Sequence, residues 1–139
     1  MSPALLSESP HLRVTPVEQT GTSSWPTLLV VESDLALVRA LVCHFERRGF
    51  HVAGAASLAE AREFLDRRSH WTMVIAECHL PDGSGLEIQT WLKERAGRTP
   101  FLLLSSGPLS SALYGGVDFL AKPFSLPKIE ARVNLLTGR

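Results

Sequence analysis

The sequence predicts an α/β domain in which a parallel sheet is covered by helices on both faces, and three observations support this class. From Thr27 onward, short apolar runs alternate five times with segments of helical periodicity, which is typical of βα units. The runs are continuous, as at residues 28–31, which indicates strands buried on both faces. Residues typical of helix ends are also present: Ser57 and Glu60 form a capping pair where one helical segment begins, and Gly49 stands where another ends.

The predicted strands and helices follow one another in a regular order. After the first strand, apolar residues at positions 35, 38, 41, 42 and 45 fall on one helical face, and Gly49 stands where that helix should stop. Ser57 opens the second helix, and Ser125 opens the last one with Pro127 tolerated in its first turn. The predicted strands are residues 28–31, 50–55, 72–76, 101–104 and 117–121, and the third helix is residues 86–95, ended by Gly97.

The segment 106–116 is the weakest of the predicted elements. It has glycine at both ends and few strong helix formers. Because a turn of α-helix takes about 3.6 residues, this segment can hold at most one or two turns. We therefore expect a short fourth helix between the fourth and fifth strands.

Composition and charge limit the classes of partner. The chain has 139 residues, enough for one domain and a tail, and its 14 basic and 14 acidic residues give a pI near 7.0. This balance provides no excess of basic residues for direct binding of nucleic acid or of an anionic membrane. No stretch reaches the roughly 20 apolar residues that span a bilayer, so we expect a cytoplasmic protein that acts on other proteins.

The N-terminal segment differs in composition from the rest of the chain. Residues 1–25 are rich in Ser, Pro, Thr and Glu without periodicity, which predicts a disordered leader before a domain at 26–139; an extra ordered strand or cap is the alternative. Cys43 and Cys78 are interpreted as reduced thiols of a cytosolic protein. The histidines are scattered without the spacing of a metal site.

Polar residues follow four of the predicted strands. Glu32, Glu77, Ser105 and Lys122 come after the first, third, fourth and fifth strands. In an open parallel sheet, ligands bind in the crevice beyond the carboxyl ends of the strands, so we expect these four side chains to converge there. Any one of them alone is more simply a solvated loop residue. Four together indicate a present or former functional site.

These stretches resemble the receiver domain of two-component response regulators. The resemblance rests on Leu-Leu-Val-Val-Glu-Ser-Asp at 28–34, on Glu77 to Gly85 with its Leu-Pro-Asp-Gly-Ser-Gly, on Ser105, and on Asp-Phe-Leu-Ala-Lys-Pro-Phe at 118–124. It implies a flavodoxin-like, doubly wound, five-stranded parallel sheet of order 2-1-3-4-5, the receiver (CheY-like) topology, here with a short fourth helix. It also implies signalling by phosphorylation of an aspartate from a histidine kinase.

The resemblance assigns the acidic positions of the site. Glu77 falls at the phospho-acceptor position, where the family has aspartate. Glu32 and Ser33 fall at the pair of metal-binding acids. Asp34 lies one residue out of register, and it is the alternative acid of this metal position if the strand end shifts by one residue. A Mg²⁺ ion would be held by Glu32, Glu77 and the Cys78 backbone, and with one acid replaced by a hydroxyl we expect this binding to be weak or absent.

The remaining positions follow the family pattern. Ser105 falls at the conserved hydroxyl and Phe119 at the switch aromatic, which are the two switch positions; for Phe119, plain packing is an equal alternative. Lys122 falls at the invariant lysine, and the resemblance implies a cis peptide bond before Pro123.

Two departures from the pattern change the expected chemistry. Phosphoryl transfer needs an in-line carboxylate and a bridging metal. The extra methylene of Glu77 moves the carboxylate outward by roughly 1.5 Å, about one bond length, and a 1 Å misplacement can cost on the order of a hundredfold in rate. Ser33 also removes one hard oxygen ligand. We therefore expect a pseudo-receiver, a domain that signals without a phosphorylation cycle, with Glu77 as a fixed mimic of the phosphorylated state or a partner of Lys122.

Other functions remain open. The chain is not predicted to be an enzyme or to need a cofactor. An active receiver that accepts phosphate on Glu77 is one alternative, and a fragment of a transcriptional response regulator is another. A flavin-binding flavodoxin-like domain is disfavoured because no phosphate-cradling loop follows the first strand. The expected partners are a histidine kinase or a fused output domain, contacted through the face of the fourth helix, fifth strand and fifth helix.

Overall fold

The computed structural model describes residues 25–95, 98–106 and 117–139, and these residues contain a five-stranded parallel sheet. The strands are β1 (Thr27–Val31), β2 (His51–Ala55), β3 (Met73–Glu77), β4 (Phe101–Ser105) and β5 (Asp118–Ala121). Their order in the sheet is β2-β1-β3-β4-β5. The predicted fold class and strand order are confirmed. The predicted leader, residues 1–25, lies outside the described residues apart from Trp25.

Helices cover the sheet, and a short hairpin lies beyond β3. The helices of the described residues are α1 (Leu35–Arg47), α2 (Leu58–Arg67), α3 (Leu86–Glu94) and α4 (Leu126–Thr137). In the hairpin, His79–Leu80 pairs with Gly83–Ser84 in antiparallel fashion. Within the described ranges, no helix is long and apolar enough to cross a bilayer. Residues 107–116, which were expected to form most of a short fourth helix, and Gly97 lie outside the described residues.

The ends of the helices have the predicted caps. The Ser125 hydroxyl accepts a hydrogen bond from the Lys128 backbone N–H at 3.3 Å, which satisfies one of the free donors at the start of α4. Gly49 has a φ of 90° after α1, a conformation that glycine adopts without a steric penalty. The Lys122–Pro123 peptide bond is cis, as predicted.

The core has two layers, one on each face of the sheet. Successive residues of a strand point to opposite faces, so Leu29 and Val31 pack under α2 and α3, whereas Leu28 and Val30 pack under α1 and α4. All five residues of β1 are buried. The continuous apolar run that predicted a doubly covered strand is therefore explained by the central position of β1.

Two strands extend one residue further than expected. Glu77 is the last residue of β3 and Ser105 is the last residue of β4, whereas the sequence pattern ended these strands one residue earlier. Glu77 lies opposite Leu104 in the parallel ladder, and the next residue, Cys78, donates its backbone N–H to the Leu104 carbonyl at 2.7 Å. The ladder therefore fixes the backbone of Glu77.

Among the residues that the structure describes, the strand β5 forms one edge of the sheet. Its partner on the inner side is β4, and Lys122 continues this contact by donating its backbone N–H to the Ser105 carbonyl at 2.6 Å. The Phe119 carbonyl accepts a hydrogen bond from Arg132 Nη1 at 2.9 Å. A side chain of α4 thus holds the edge strand through its backbone.

Candidate functional site

Three of the four predicted side chains meet at the carboxyl ends of the central strands. Glu32 directly follows β1, Glu77 ends β3, and Lys122 directly follows β5. Lys122 Nζ lies 3.0 Å from Glu32 Oε1 and 3.5 Å from Glu77 Oε1. The structure therefore brings these three residues together, with Lys122 paired to both carboxylates, and their functional roles stay predictions.

Ser33 covers the Glu77 carboxylate. The Ser33 hydroxyl lies 2.9 Å from Glu77 Oε2 and 3.2 Å from Oε1, so one donor is shared between both oxygens. Ser33 is exposed, whereas Glu77 is buried. The resemblance had assigned Ser33 to a metal-binding position, and its hydrogen bond to Glu77 was not predicted.

Glu32 is the most deeply buried charged residue of the site. Its residue exposure is 0%, and Oε2 accepts a hydrogen bond from the Asp34 backbone N–H at 3.0 Å. Glu32 Oε1 forms an ion pair with Lys122 Nζ, but the angles of this contact are not those of a hydrogen bond. Burial of a carboxylate is unfavourable unless its charge is paired or removed by protonation, so the state of Glu32 depends on its neighbours.

Burial and charge separate the pKa values of the two carboxyl groups. Burial, reinforced by the neighbouring Glu77, raises the pKa of Glu32 from 4.5 to about 7. Burial acts to raise the pKa of Glu77 as well, but the Glu32 carboxyl, the Ser33 hydroxyl and the Lys122 charge outweigh it and lower that pKa. The shared proton therefore resides on Glu32, the more buried member of the pair, and Glu77 is the ionised partner of Lys122.

Lys122 remains charged in this environment. Partial burial acts to lower the pKa of Lys122, but the contacts with Glu32 and then Glu77 outweigh it, and the pKa is raised. At neutral pH the charges of Glu77 and Lys122 balance, and Glu32 is about half protonated, since its pKa is near 7.

The two predicted switch residues lie on adjacent strands. Ser105 is buried at the end of β4, opposite Ala121 of β5. Phe119 is half-buried and packs against the core layer under α2 and α3. Phe119 lies on β5, which directly precedes Lys122, and Ser105 lies on the neighbouring strand β4. Their roles as switches stay predictions.

Asp34 has a structural role that the sequence analysis missed. Its carboxylate accepts hydrogen bonds from the backbone N–H groups of Ala36 at 3.0 Å and Leu37 at 3.3 Å, which makes Asp34 the N-cap of α1. Asp34 Oδ1 is thus engaged at the helix start, and the assignment of Asp34 to the acidic metal position stays a prediction. An aspartate directly before a periodic apolar segment is a known helix signal that could have identified this cap.

The donor set does not fit a magnesium site. Mg²⁺ requires several free oxygen ligands in near-octahedral geometry, but the Glu32 and Glu77 oxygens are engaged by Lys122, Ser33 and the Asp34 N–H. The Cys78 carbonyl, predicted as a ligand, accepts the Gly85 backbone N–H at 2.8 Å. Across residues 25–95, 98–106 and 117–139, no group of three or more His, Cys, Asp or Glu residues is placed to hold a metal ion.

The site and the fold together define a family. A model of the response regulator receiver domain matches residues 28–134, and the chain belongs to this family. Receiver domains of this family are signalling modules that interact with histidine kinases and output domains.

Two transcriptional regulators that are similar to this chain are longer than it. Over 119 residues it is 34% identical to the transcriptional activator protein PfeR of Pseudomonas aeruginosa, covering 82% of this chain and 38% of that protein. Over 117 residues it is 31% identical to the transcriptional regulatory protein PmrA of Pectobacterium parmentieri, covering 81% of this chain and 52% of that protein. The chain thus spans about half or less of the length of these two relatives.

Solved receiver domains have the same architecture. The receiver domain of the Francisella response regulator 1452 superposes with a TM-score of 0.70 at 27% identity, covering 82% of this chain and 98% of that one. The non-phosphorylated HemR receiver domain from Leptospira biflexa gives a TM-score of 0.72 at 27% identity, covering 82% and 95%.

Proposed function

We propose that this receiver domain is a pseudo-receiver that signals through protein–protein contacts without a phosphorylation cycle at Glu77. The observation that carries this proposal is the engagement of both Glu77 oxygens, by the Ser33 hydroxyl at 2.9 and 3.2 Å and by Lys122 at 3.5 Å. These contacts stabilise the unreacted carboxylate of Glu77. It would have to break these contacts before it could attack phosphorus.

The chemistry of phosphoryl transfer supports the same conclusion. In the family pattern, Glu77 stands at the aspartate acceptor position and Ser33 at an acidic metal position. In-line transfer depends on positioning and on metal ions that neutralise the charge of the phosphoryl oxygens. The glutamate is longer by one methylene, and Ser33 supplies a hydroxyl instead of a carboxylate, so both requirements are weakened.

The charge arrangement favours a locked site. Ionised Glu77 already gives Lys122 an anionic partner, which is the kind of contact that a phosphoryl group on a shorter aspartate would offer. We therefore interpret Glu77 as a fixed mimic of the phosphorylated state or as a structural partner of Lys122. The alternative, an active receiver that accepts phosphate on Glu77, is supported by the same ionised carboxylate, since a nucleophile must be deprotonated.

Phosphodonor labelling tests the proposal. The protein is incubated with ³²P-labelled acetyl phosphate and Mg²⁺, as wild type, as Glu77→Asp, and as the double variant Glu77→Asp with Ser33→Asp. We expect no labelling of the wild type or the single variant, because the metal ligands are incomplete, and labelling of the double variant. Labelling of the wild type would establish the active alternative, and efficient labelling of Glu77→Asp alone would refute the role assigned to Ser33.

The partner proposal concerns the face of the domain that includes β5 and α4. Leu135 on α4 is 76% exposed, the largest exposure among the large hydrophobic residues of the described part of the chain. The relatives named above are transcriptional regulators and exceed this chain in length, so we propose that this face contacts an output domain and that a histidine kinase is a further partner.

A further inference from the structure

The hairpin that follows β3 is fixed at its base. Its base lies at Gly85, which donates its backbone N–H to the Cys78 carbonyl at 2.8 Å. A Cβ atom added to Gly85 would lie 2.0 Å from the Glu77 carbonyl oxygen, so only glycine allows this close approach. The base of the hairpin is therefore packed directly against the backbone of Glu77.

The hairpin tip is fixed as well, by contacts to a different element. Asp82 lies in the turn between the two hairpin strands, and its carboxylate accepts the backbone N–H groups of Leu58 at 2.8 Å and Ala59 at 3.0 Å. These groups belong to the first turn of α2. The adjacent Gly83 is closely packed there, since an added Cβ atom would lie 2.6 Å from Leu58 Cδ1.

A further free donor at the start of α2 has a local partner. The Ser57 hydroxyl accepts the Glu60 N–H at 3.2 Å, whereas the Ala61 N–H already makes the first regular helical bond, to the Ser57 carbonyl at 3.0 Å. A helix start has N–H groups without intrahelical partners, and here Ser57 satisfies one of them and Asp82 satisfies two. The bonds to Leu58 and then Ala59 lower the pKa of Asp82, so it is ionised at neutral pH and is favoured by the helix dipole.

We propose that Asp82 is a positioning residue for the Glu77 carboxylate, acting through the hairpin whose tip it fixes on α2. With the tip held by Asp82 and the base held by Gly85, the hairpin cannot rotate about its base. Release of the tip lets the base move, and the base is in contact with the Glu77 backbone. This role goes beyond the pseudo-receiver proposal, because it holds whether or not Glu77 accepts phosphate.

A matched pair of variants separates positioning from helix stability. Asp82→Ala and Ser57→Ala each remove a cap of α2, but only Asp82→Ala releases the hairpin. The measurement is the ¹³C chemical shift of the Glu77 side-chain carboxyl at fixed pH, together with hydrogen exchange of the Gly85 N–H. We expect a shifted Glu77 resonance and faster Gly85 exchange in Asp82→Ala, and values near wild type in Ser57→Ala.

A third variant keeps the proposal testable if Asp82→Ala does not fold. Asp82→Asn retains one acceptor oxygen, so we expect an effect of the same direction and smaller size. A Glu77 resonance unchanged in both Asp82 variants, or displaced equally in Ser57→Ala, would overturn the proposal and leave Asp82 as a helix cap only. The outcome is independent of phosphodonor labelling, so failure of one proposal does not imply failure of the other.

Discussion

Lys122 stands between two carboxylates of unequal burial, and this inequality sets the charge of each group. Glu32 is shielded from solvent, whereas Glu77 has the Ser33 hydroxyl as an additional donor. A carboxylate in a low-dielectric site is protonated unless donors and cations compensate for lost hydration. Since one lysine contacts both acids, the pKa of the less buried Glu77 is lowered and the pKa of the fully buried Glu32 is raised.

The first prediction concerns the pH dependence of stability. The folded-state pKa of Glu32, about 7, is above its ordinary value of 4.5, so its contribution to stability is fully present below about 4.5 and is lost as pH rises through about 7. Glu32→Gln keeps an acceptor for the Asp34 N–H and does not titrate. We expect the unfolding free energy of wild type, relative to this variant, to fall between pH 5 and pH 7.5 in urea titrations. A pH-independent difference would contradict the shifted pKa.

The second prediction concerns the residue that replaces a metal-binding acid. Ser33→Asp places a third carboxylate beside Glu77, so without metal we expect lower stability from repulsion between like charges. With Mg²⁺ the added oxygen ligand should restore stability. Ser33→Asn is the matched control, because it has nearly the same shape without the charge. Thermal unfolding with and without Mg²⁺ measures the effect, and equal responses of the two variants would exclude metal binding at this position.

At the level of elements, a charged cluster joins α1 to α4 on one face of the sheet. Glu130 lies on α4. Its Oε1 is 2.8 Å from His44 Nε2, and its Oε2 is 3.0 Å from Nε of Arg48, the residue that follows α1. Arg48 and then His44 lower the pKa of Glu130. The first and last helices of the described chain are thus connected by polar contacts above the apolar layer that they share.

The third prediction removes the central charge of this cluster. For Glu130→Gln we expect a loss of about 1 kcal/mol at pH 7, since partly exposed ion pairs contribute about that much or less. Because the pKa of Glu130 is lowered from 4.5, its contribution is present above that value and is lost as pH falls through the folded-state pKa. Urea unfolding at pH 7 and in acid measures both effects.

Glu46→Gln serves as the control for this prediction. Glu46 lies on α1, the helix that Glu130 contacts, and forms no ion pair within the described part of the chain. An equal loss of stability in the two variants would show that the charge cluster does not hold the helices together.

At the level of the whole molecule, we propose that the predicted domain at 26–139 folds independently of the predicted leader. The Trp25 ring centroid lies 4.8 Å from that of His51, and this contact is kept when only residues 1–24 are removed. Deletion of residues 1–24 should therefore leave the melting temperature and the Glu77 carboxyl resonance unchanged. A lower melting temperature would show that the leader contributes to the fold, and the alternative of an ordered cap would then apply.

The sequence was sufficient to predict the buried strands and the residues that meet at their carboxyl ends. Continuous apolar runs predicted the doubly covered β1, and the family resemblance supplied the strand order. Glu32, Glu77 and Lys122 could be placed together because parallel strands end at the same edge of a sheet. That inference needs only the order of elements along the chain and not the paths of the loops.

The remaining contacts could not be predicted because they depend on loop paths. The bond from Ser33 to Glu77 spans 44 positions, and that from Leu58 to Asp82 spans 24. Each joins a residue outside the regular elements of the sheet and helices, Ser33 or Asp82, to the end of a strand or helix, and a shift of one residue there would change the partner. The complete burial of Glu32 likewise depends on how the surrounding loops cover it, which composition does not specify.

The contact between Arg132 and the Phe119 carbonyl has a consequence for self-association. An edge strand offers free backbone groups on which another chain can add a strand, and proteins reduce this risk with charged side chains. Here a guanidinium occupies one of the edge acceptors, so an incoming strand would have to displace a cation. We therefore expect Arg132 to oppose the addition of a foreign strand to β5, the same strand where a signalling partner is proposed to bind.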